Sequence, residues 1–117
     1  MNLEQIYSKN ILEEKELEFE GEKFTVKFKP VTWARKSTIV HQCMTYSKKG
    51  DAHFDYGHYM EEMLIAMEAE GFWGKTDYLF LKKITPAFGK VLEQIVPPPV
   101  EGSVDESDFF GEKSEKF

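Results

Sequence analysis

The clearest pattern in the chain is an alternation of apolar and charged positions near its start. Over residues 16–20 apolar side chains alternate with glutamates, and over residues 23–29 they alternate mainly with lysines. Successive side chains of a strand point to opposite faces, so this alternation predicts two strands with one apolar face each. With Gly21 between them, the strands are expected to form a β-hairpin in which glutamates of one strand lie near lysines of the other.

The stretch after Pro30 predicts a helix that begins at Trp33, behind the capping side chain of Thr32. The lysines and the glycine of residues 47–50 suit the C-terminal end of this helix. We therefore expect it to continue to about residue 47. Its predicted apolar stripe consists of Trp33, Ile39, Val40, Cys43 and Met44, with Tyr46 as a further candidate.

Further helices are predicted from residue 56 onwards. The strongest helical spacing runs from Tyr56 to Met67, and Gly71 is expected to end it. Thr76 or Asp77 can cap the next helix. An N-cap and N1 pair at residues 85–86 then marks a kink or a fourth helix, and three prolines at 97–99 end the regular structure.

These elements divide the chain into an N-terminal arm or short helix at residues 1–15, one domain at 16–99 and a tail at 100–117. The tail contains six acidic residues and two lysines, so it carries −4 of the net charge of −6. Its acidic, serine- and glycine-containing composition is typical of disorder. The predicted fold is α+β, with an N-terminal β-hairpin packed on a bundle of three or four helices and a disordered acidic C-terminal tail.

The net charge of −6 and the pI of about 5.1 argue against nucleic acid or an anionic membrane as a partner, because both attract basic surfaces. The chain begins without the basic and apolar segments of a signal peptide, and no apolar run approaches the roughly 20 residues that cross a bilayer. A single cysteine cannot form an internal disulfide. A cytoplasmic protein is therefore expected.

Residues that carry catalytic or metal chemistry are present, but their spacing does not favour a site. His53 and His58 lie five residues apart, which misses the i, i+4 spacing of a helical metal site. His41 and Cys43 would point about 200° apart on a helix, so Cys43 is interpreted as a core residue. The glutamates near residues 61–70 fall away from the apolar stripe of their helix, as solvated charges do. No enzyme, metal or cofactor is predicted.

Four residues of the body are candidates for binding a partner. Met63 and Met67 belong to a methionine stripe, which is either core filling or an adaptable groove for a partner. Phe72 and Trp73 lie between two glycines, and they either plug the core or form an exposed anchor.

Two further candidates, Phe109 and Phe110, lie side by side in the acidic tail. A disordered tail cannot bury two adjacent aromatic rings by itself. Either these rings dock back onto the body of the protein or they bind a partner, and the sequence leaves both alternatives open.

The order of these features resembles the tail assembly chaperones of long-tailed bacteriophages, which are small acidic proteins with a strand pair, a helical body and a low-complexity tail. The resemblance is one of order and residue type rather than of an invariant motif. It rests on residues 19–27, 30–32, 63–73, 77–81 and 95–98.

The resemblance implies a protein that binds the long helical tape measure protein, keeps it soluble while the tail tube is assembled in the host cytoplasm, and is not part of the mature virion. It implies no catalytic residues. The tail tube protein is a further possible partner, and the chain is a candidate homo-oligomer. The alternatives are a small cytosolic adaptor or regulatory module, which could use the hairpin edge to bind a strand, and a non-catalytic subunit of a larger assembly. A further rival is a small enzyme or enzyme subunit whose site forms only on oligomerisation, with His41, His53 or His58 contributed across an interface.

Overall fold

The computed structural model describes residues 1–8 and 11–99, and these residues form a mixed α+β fold, as predicted. The chain contains six strands, four α-helices and two short 3₁₀-helices within the described ranges. The strands are β1 (Glu13–Phe19), β2 (Glu22–Phe28), β3 (Met44–Tyr46), β4 (Ala52–Phe54), β5 (Glu70–Gly71) and β6 (Gly74–Lys75). The α-helices are α1 (Trp33–Gln42), α2 (Tyr56–Ala66), α3 (Tyr78–Lys83) and α4 (Pro86–Leu92), and the 3₁₀-helices are Leu3–Gln5 and Glu93–Ile95.

The predicted hairpin is confirmed as the antiparallel pair of β1 and β2. Its turn consists of Glu20 and Gly21, both with positive φ, which matches the right-handed twist of the two strands. β1 begins three residues before the predicted boundary at residue 16, because Glu13 already pairs with Phe28. Exposed ion pairs such as Lys27 with Glu14, at 3.9 Å, lie on the solvent face and add little stability.

The hairpin is half of a four-stranded sheet with the order β1-β2-β5-β6. β5 joins the sheet through the pairing of Lys27 with Glu70, and β6 folds back on β5. The backbone N–H of Lys29 also donates to the carbonyl of Met67 at 2.8 Å, which ties the end of β2 to the end of α2. The sequence did not predict β5 and β6, because each has only two residues and no alternation to detect.

The predicted extent of α1 is wrong at its C-terminal end. The helix ends at Gln42, and the next residues form β3, which pairs with β4 in a separate two-stranded sheet. Met44 lies opposite Phe54 in this pair, so the residue is held by a strand and not by the predicted helical stripe. Trp33 and Tyr46, which were also assigned to that stripe, are exposed.

α2 also ends earlier than predicted, at Ala66 instead of near Gly71. The N–H of Glu68 donates to the carbonyl of Ile65, and the N–H of Ala69 donates to that of Leu64, which is the Schellman pattern. The left-handed position is occupied by Glu68, with φ of +53°, where glycine is usual. The stop signal was therefore missed because its residue type is atypical.

The helix starts were predicted correctly where capping side chains mark them. Thr32, Asp77 and Thr85 each accept a hydrogen bond from a backbone N–H in the first turn of α1, α3 and α4. Pro86 occupies the first turn of α4, as expected for an N-cap and N1 pair. Within the described residues, no helix is both long and apolar enough to cross a membrane.

Residues 1–8 form an exposed segment that contains the 3₁₀-helix Leu3–Gln5. The apolar side chains of Leu3, Ile6, Tyr7 and Ile11 are solvent-exposed. A short helix was one of the two alternatives expected for this segment, and its apolar side chains do not join the core.

The core lies between the four-stranded sheet and the helices, with α2 at its centre. Val26, Ile39, Tyr59, Met63 and Leu92 are among its fully buried side chains and come from β2, α1, α2 and α4. The hydroxyl of Tyr59 donates to the carbonyl of Pro97 at 2.7 Å, which fixes the segment after α4 onto α2.

Tyr59→Phe should lower the free energy of unfolding by about 1 kcal/mol, because the ring is kept while the carbonyl of Pro97 loses its donor. Tyr46→Phe is the matched control, since Tyr46 is 66% exposed. Urea unfolding followed by circular dichroism measures both. Equal stability of the two variants would contradict a contribution from this hydrogen bond.

Candidate functional site

Six aromatic side chains meet where the turn end of the β1–β2 hairpin and the β5–β6 turn lie against α3 and α4. We call this group the aromatic cluster. It consists of Phe19 of β1, Phe24 of β2, Phe72 and Trp73 between β5 and β6, Phe80 of α3 and Phe88 of α4.

Phe88 lies at the centre of the aromatic cluster. Its ring is stacked with that of Phe24 at a centroid distance of 5.5 Å, and it meets Phe19 edge-on at 5.0 Å. Trp73 also meets it edge-on, at 5.7 Å. Such pairs each contribute about 0.5–1.5 kcal/mol beyond the area that they bury. α4 is therefore attached both to the hairpin and to the β5–β6 turn through one ring.

Trp73 is held on two sides. Its indole is stacked on Phe80, with a centroid distance of 5.0 Å and an interplanar angle of 9°. Its indole N–H donates to the hydroxyl of Thr76 at 2.9 Å. The side chain is half-buried and packs against the core, so Trp73 corresponds to the core-plugging alternative.

Phe72 corresponds to the other alternative, because its side chain is 75% exposed. The ring nevertheless meets two other rings edge-on. The centroid distance is 5.1 Å to Trp73 and 5.5 Å to Phe24. Phe72 is thus an apolar ring that is held in place by other aromatic rings and presents most of its surface to solvent. A side chain of this kind is typical of an anchor that is ready to be buried by a partner.

The two glycines that flank this pair shape the turn. Gly74 has a backbone φ of +91°, which residues other than glycine rarely adopt. A Cβ on Gly71 would lie 2.5 Å from the indole ring of Trp73, so the indole fits only because Gly71 has no side chain. The turn can therefore carry two large aromatic side chains within a short connection.

The structure places Met63 and Met67 in the core, which corrects their assignment as partner-binding residues. Met63 has no solvent exposure and Met67 has 2%, so neither is available on the surface. Both contribute to the floor or walls of a groove of about 480 Å³ that is also lined by Phe28, Val31 and Pro97. Core filling accounts for both residues, since flexible methionines fit an irregular interior.

Among the described residues, Cys43 and Tyr78 have raised pKa values. Burial raises the pKa of the Cys43 thiol to about 11, and the nearby charges of Asp55 and Glu62 act in the same direction. The thiol is therefore protonated and unreactive near neutral pH. Tyr78 donates a hydrogen bond to Glu62, which raises the pKa of the phenol.

The three histidines lie on exposed positions of different elements. His41 lies on α1, His53 on β4 and His58 on α2. Within residues 1–8 and 11–99, no three side chains of histidine, cysteine, aspartate or glutamate are grouped so that they could hold a metal ion. Glu68, one of the glutamates considered above, forms an ion pair with Lys29 at 3.4 Å.

The remaining two candidates, Phe109 and Phe110, lie outside the described residues. Comparison of the chain with protein families, curated proteins and solved structures gives no match. The resemblance to the tail assembly chaperones therefore stays a prediction.

The sequence identified Phe72 and Trp73 but not the ring system that supports them. Phe19 and Phe24 were predicted on the apolar face of the hairpin, and Phe88 falls within the predicted fourth helix, yet nothing in their spacing indicated that they meet. Their contacts join residues up to 69 positions apart along the chain, as in the pair of Phe19 and Phe88. Periodicity within one element carries no information on such contacts.

Gly71→Ala should lower the free energy of unfolding by about 1–3 kcal/mol, because the new methyl group must displace the packed indole of Trp73. Gly57→Ala is the control, since its Cβ would meet nothing closer than 3.7 Å. Chemical unfolding followed by tryptophan fluorescence measures both. The interpretation fails if Gly71→Ala is as stable as the unchanged protein.

Proposed function

We propose that the protein is a tail assembly chaperone that binds the tape measure protein of a long-tailed bacteriophage and keeps it soluble while the tail tube is assembled. The observation that carries this proposal furthest is the exposed ring of Phe72 on the aromatic cluster. A tape measure helix presents apolar stripes that aggregate in water, and a fixed aromatic ring is suited to cover part of such a stripe.

The size of the exposed anchor suits reversible binding. Full burial of one phenylalanine contributes about 1.5–3 kcal/mol, and Phe72 already makes part of its contacts within the protein. One such anchor supports a specific contact without making a single complex permanent. A chaperone that leaves before the tail is complete requires this balance.

Charge supports the same proposal. The solvent face of β1 contains Glu14, Glu16 and Glu18, and the whole chain carries a net charge of −6. An acidic surface around an apolar contact keeps a complex dispersed, because complexes with like charge repel each other. The proposed complex forms in the cytoplasm and leaves no copy of this chain in the finished particle. Binding to the tail tube protein and self-association remain subsidiary proposals.

A small adaptor module is the alternative from another class. It would use the outer edge of β1, which in the described part of the chain pairs with β2 on one side only. Four glutamates and one lysine within Glu13–Phe19 weaken this alternative, since charged side chains along an edge discourage the addition of a strand. The aromatic cluster is therefore the preferred contact.

Phe72→Ala should weaken binding to the cognate tape measure protein at least tenfold, or about 1.4 kcal/mol, because it removes the exposed anchor. It should also lower the free energy of unfolding by about 1–3 kcal/mol, because it removes the edge-on ring pairs with Phe24 and Trp73. Co-expression followed by separation of soluble and insoluble tape measure protein, together with a binding titration, measures the effect.

Tyr46→Ala is the matched control, because it removes an exposed aromatic ring from β3, outside the aromatic cluster. A circular dichroism melt of each variant separates lost binding from lost folding. If the tape measure protein is equally soluble with and without this chain, the chaperone proposal is wrong and the adaptor module becomes the leading account. Equal loss of binding in both variants would assign the contact to another surface.

A further inference from the structure

A second apolar surface lies on α1, away from the aromatic cluster. It is a groove of about 440 Å³, and we call it the α1 groove. Trp33 forms part of its wall and is 84% exposed, which is a large exposed area for a tryptophan. The groove is lined by Val31, Trp33, Lys36, Ser37, Val40, Pro97 and Pro99.

The course of the chain indicates what can occupy the α1 groove. Pro97 and Pro99 are among its lining residues, and Pro99 is the last residue that the structure describes, so the 18-residue segment 100–117 is attached beside the groove. Phe109 follows ten residues after Pro99. A flexible segment of that length has an average end-to-end distance of roughly 18 Å, so the groove is well within its reach.

The chemistry of the groove matches the middle of the tail. Its walls are apolar apart from Ser37 and one cation, Lys36. The tail presents two adjacent phenylalanines directly after Asp108, with further acids on both sides. An aromatic pair beside a carboxylate complements an apolar groove with a lysine at its side.

We propose that the tail folds back in cis, with Phe109 and Phe110 in the α1 groove and Asp108 beside Lys36. Because the tail is tethered at the edge of the groove, its effective concentration there is in the millimolar range, so weak contacts suffice to fill it. The tail then shields Trp33 from other copies of the chain. This inference selects the first of the two alternatives left open for Phe109 and Phe110, and it does not depend on the tape measure protein.

A nitroxide label on the full-length chain tests the proposal. The label is attached through Ser107→Cys, and Cys43 escapes labelling because it is buried and its pKa is raised to about 11. The readout is the NMR signal of each indole N–H, with Trp33→Phe used to assign the two. We expect the Trp33 signal to be broadened several-fold more than that of Trp73.

Variants of the labelled chain separate docking from simple proximity. Phe109→Ala with Phe110→Ala should restore most of the Trp33 signal, and Lys36→Glu should restore part of it. Phe117→Ala is the matched control and should leave the broadening unchanged. Equal broadening with and without the two phenylalanines would overturn the proposal, since tethering alone would then explain it.

A mixing experiment distinguishes contact within one chain from contact between chains. Spin-labelled chains without ¹⁵N are added to ¹⁵N-labelled chains that carry no nitroxide. The proposal predicts an unchanged Trp33 signal in the mixture. If the Trp33 signal in the mixture is broadened as much as in the chain that carries both the nitroxide and ¹⁵N, a second copy supplies the tail. That result would overturn docking in cis.

Discussion

The stacking of Phe88 against Phe24 is the contact on which the rest of the architecture depends. The β1–β2 hairpin has one apolar face, and an isolated hairpin is not stable in water, so that face must be covered. Phe88 of α4 covers the end of that face next to the Glu20–Gly21 turn, with ring centroids 5.5 Å from Phe24 and 5.0 Å from Phe19. The same ring also packs against Trp73. Because Trp73 lies in the short β5–β6 turn, this contact holds that turn at the edge of the sheet opposite β1.

This arrangement explains how one exposed phenylalanine can be retained in an ordered position. A ring that is 75% exposed would ordinarily move between rotamers and lose conformational entropy when a partner fixes it. Phe72 has edge-on neighbours in Phe24 and Trp73, so part of that entropy is already lost in the free protein. Preorganisation of this kind favours binding without adding contacts, and it links the packing of the core to the proposed function.

The parts of the fold that could be predicted are those encoded by neighbouring residues. The alternation around Leu17 and Val26 specifies the hairpin, and Thr32, Asp77 and Thr85 mark helix starts through bonds to residues three positions away. β5, by contrast, depends on a partner far away in the chain, because Glu70 pairs with Lys27 of β2. The same reason explains why the sequence left Phe72 and Trp73 as one ambiguous pair, because Trp73 packs on Phe80 of α3 and Phe88 of α4, which belong to other elements.

The central claim is that the rings of Phe24 and Phe88 act together to join the hairpin to α4. A double-mutant cycle tests it directly, with Phe24→Leu, Phe88→Leu and the double variant compared by urea unfolding. The account predicts a coupling free energy of about 0.5–1.5 kcal/mol, so that the double variant loses less stability than the two single variants combined. Strictly additive losses would contradict it, because they would show that the two rings stabilise the protein independently.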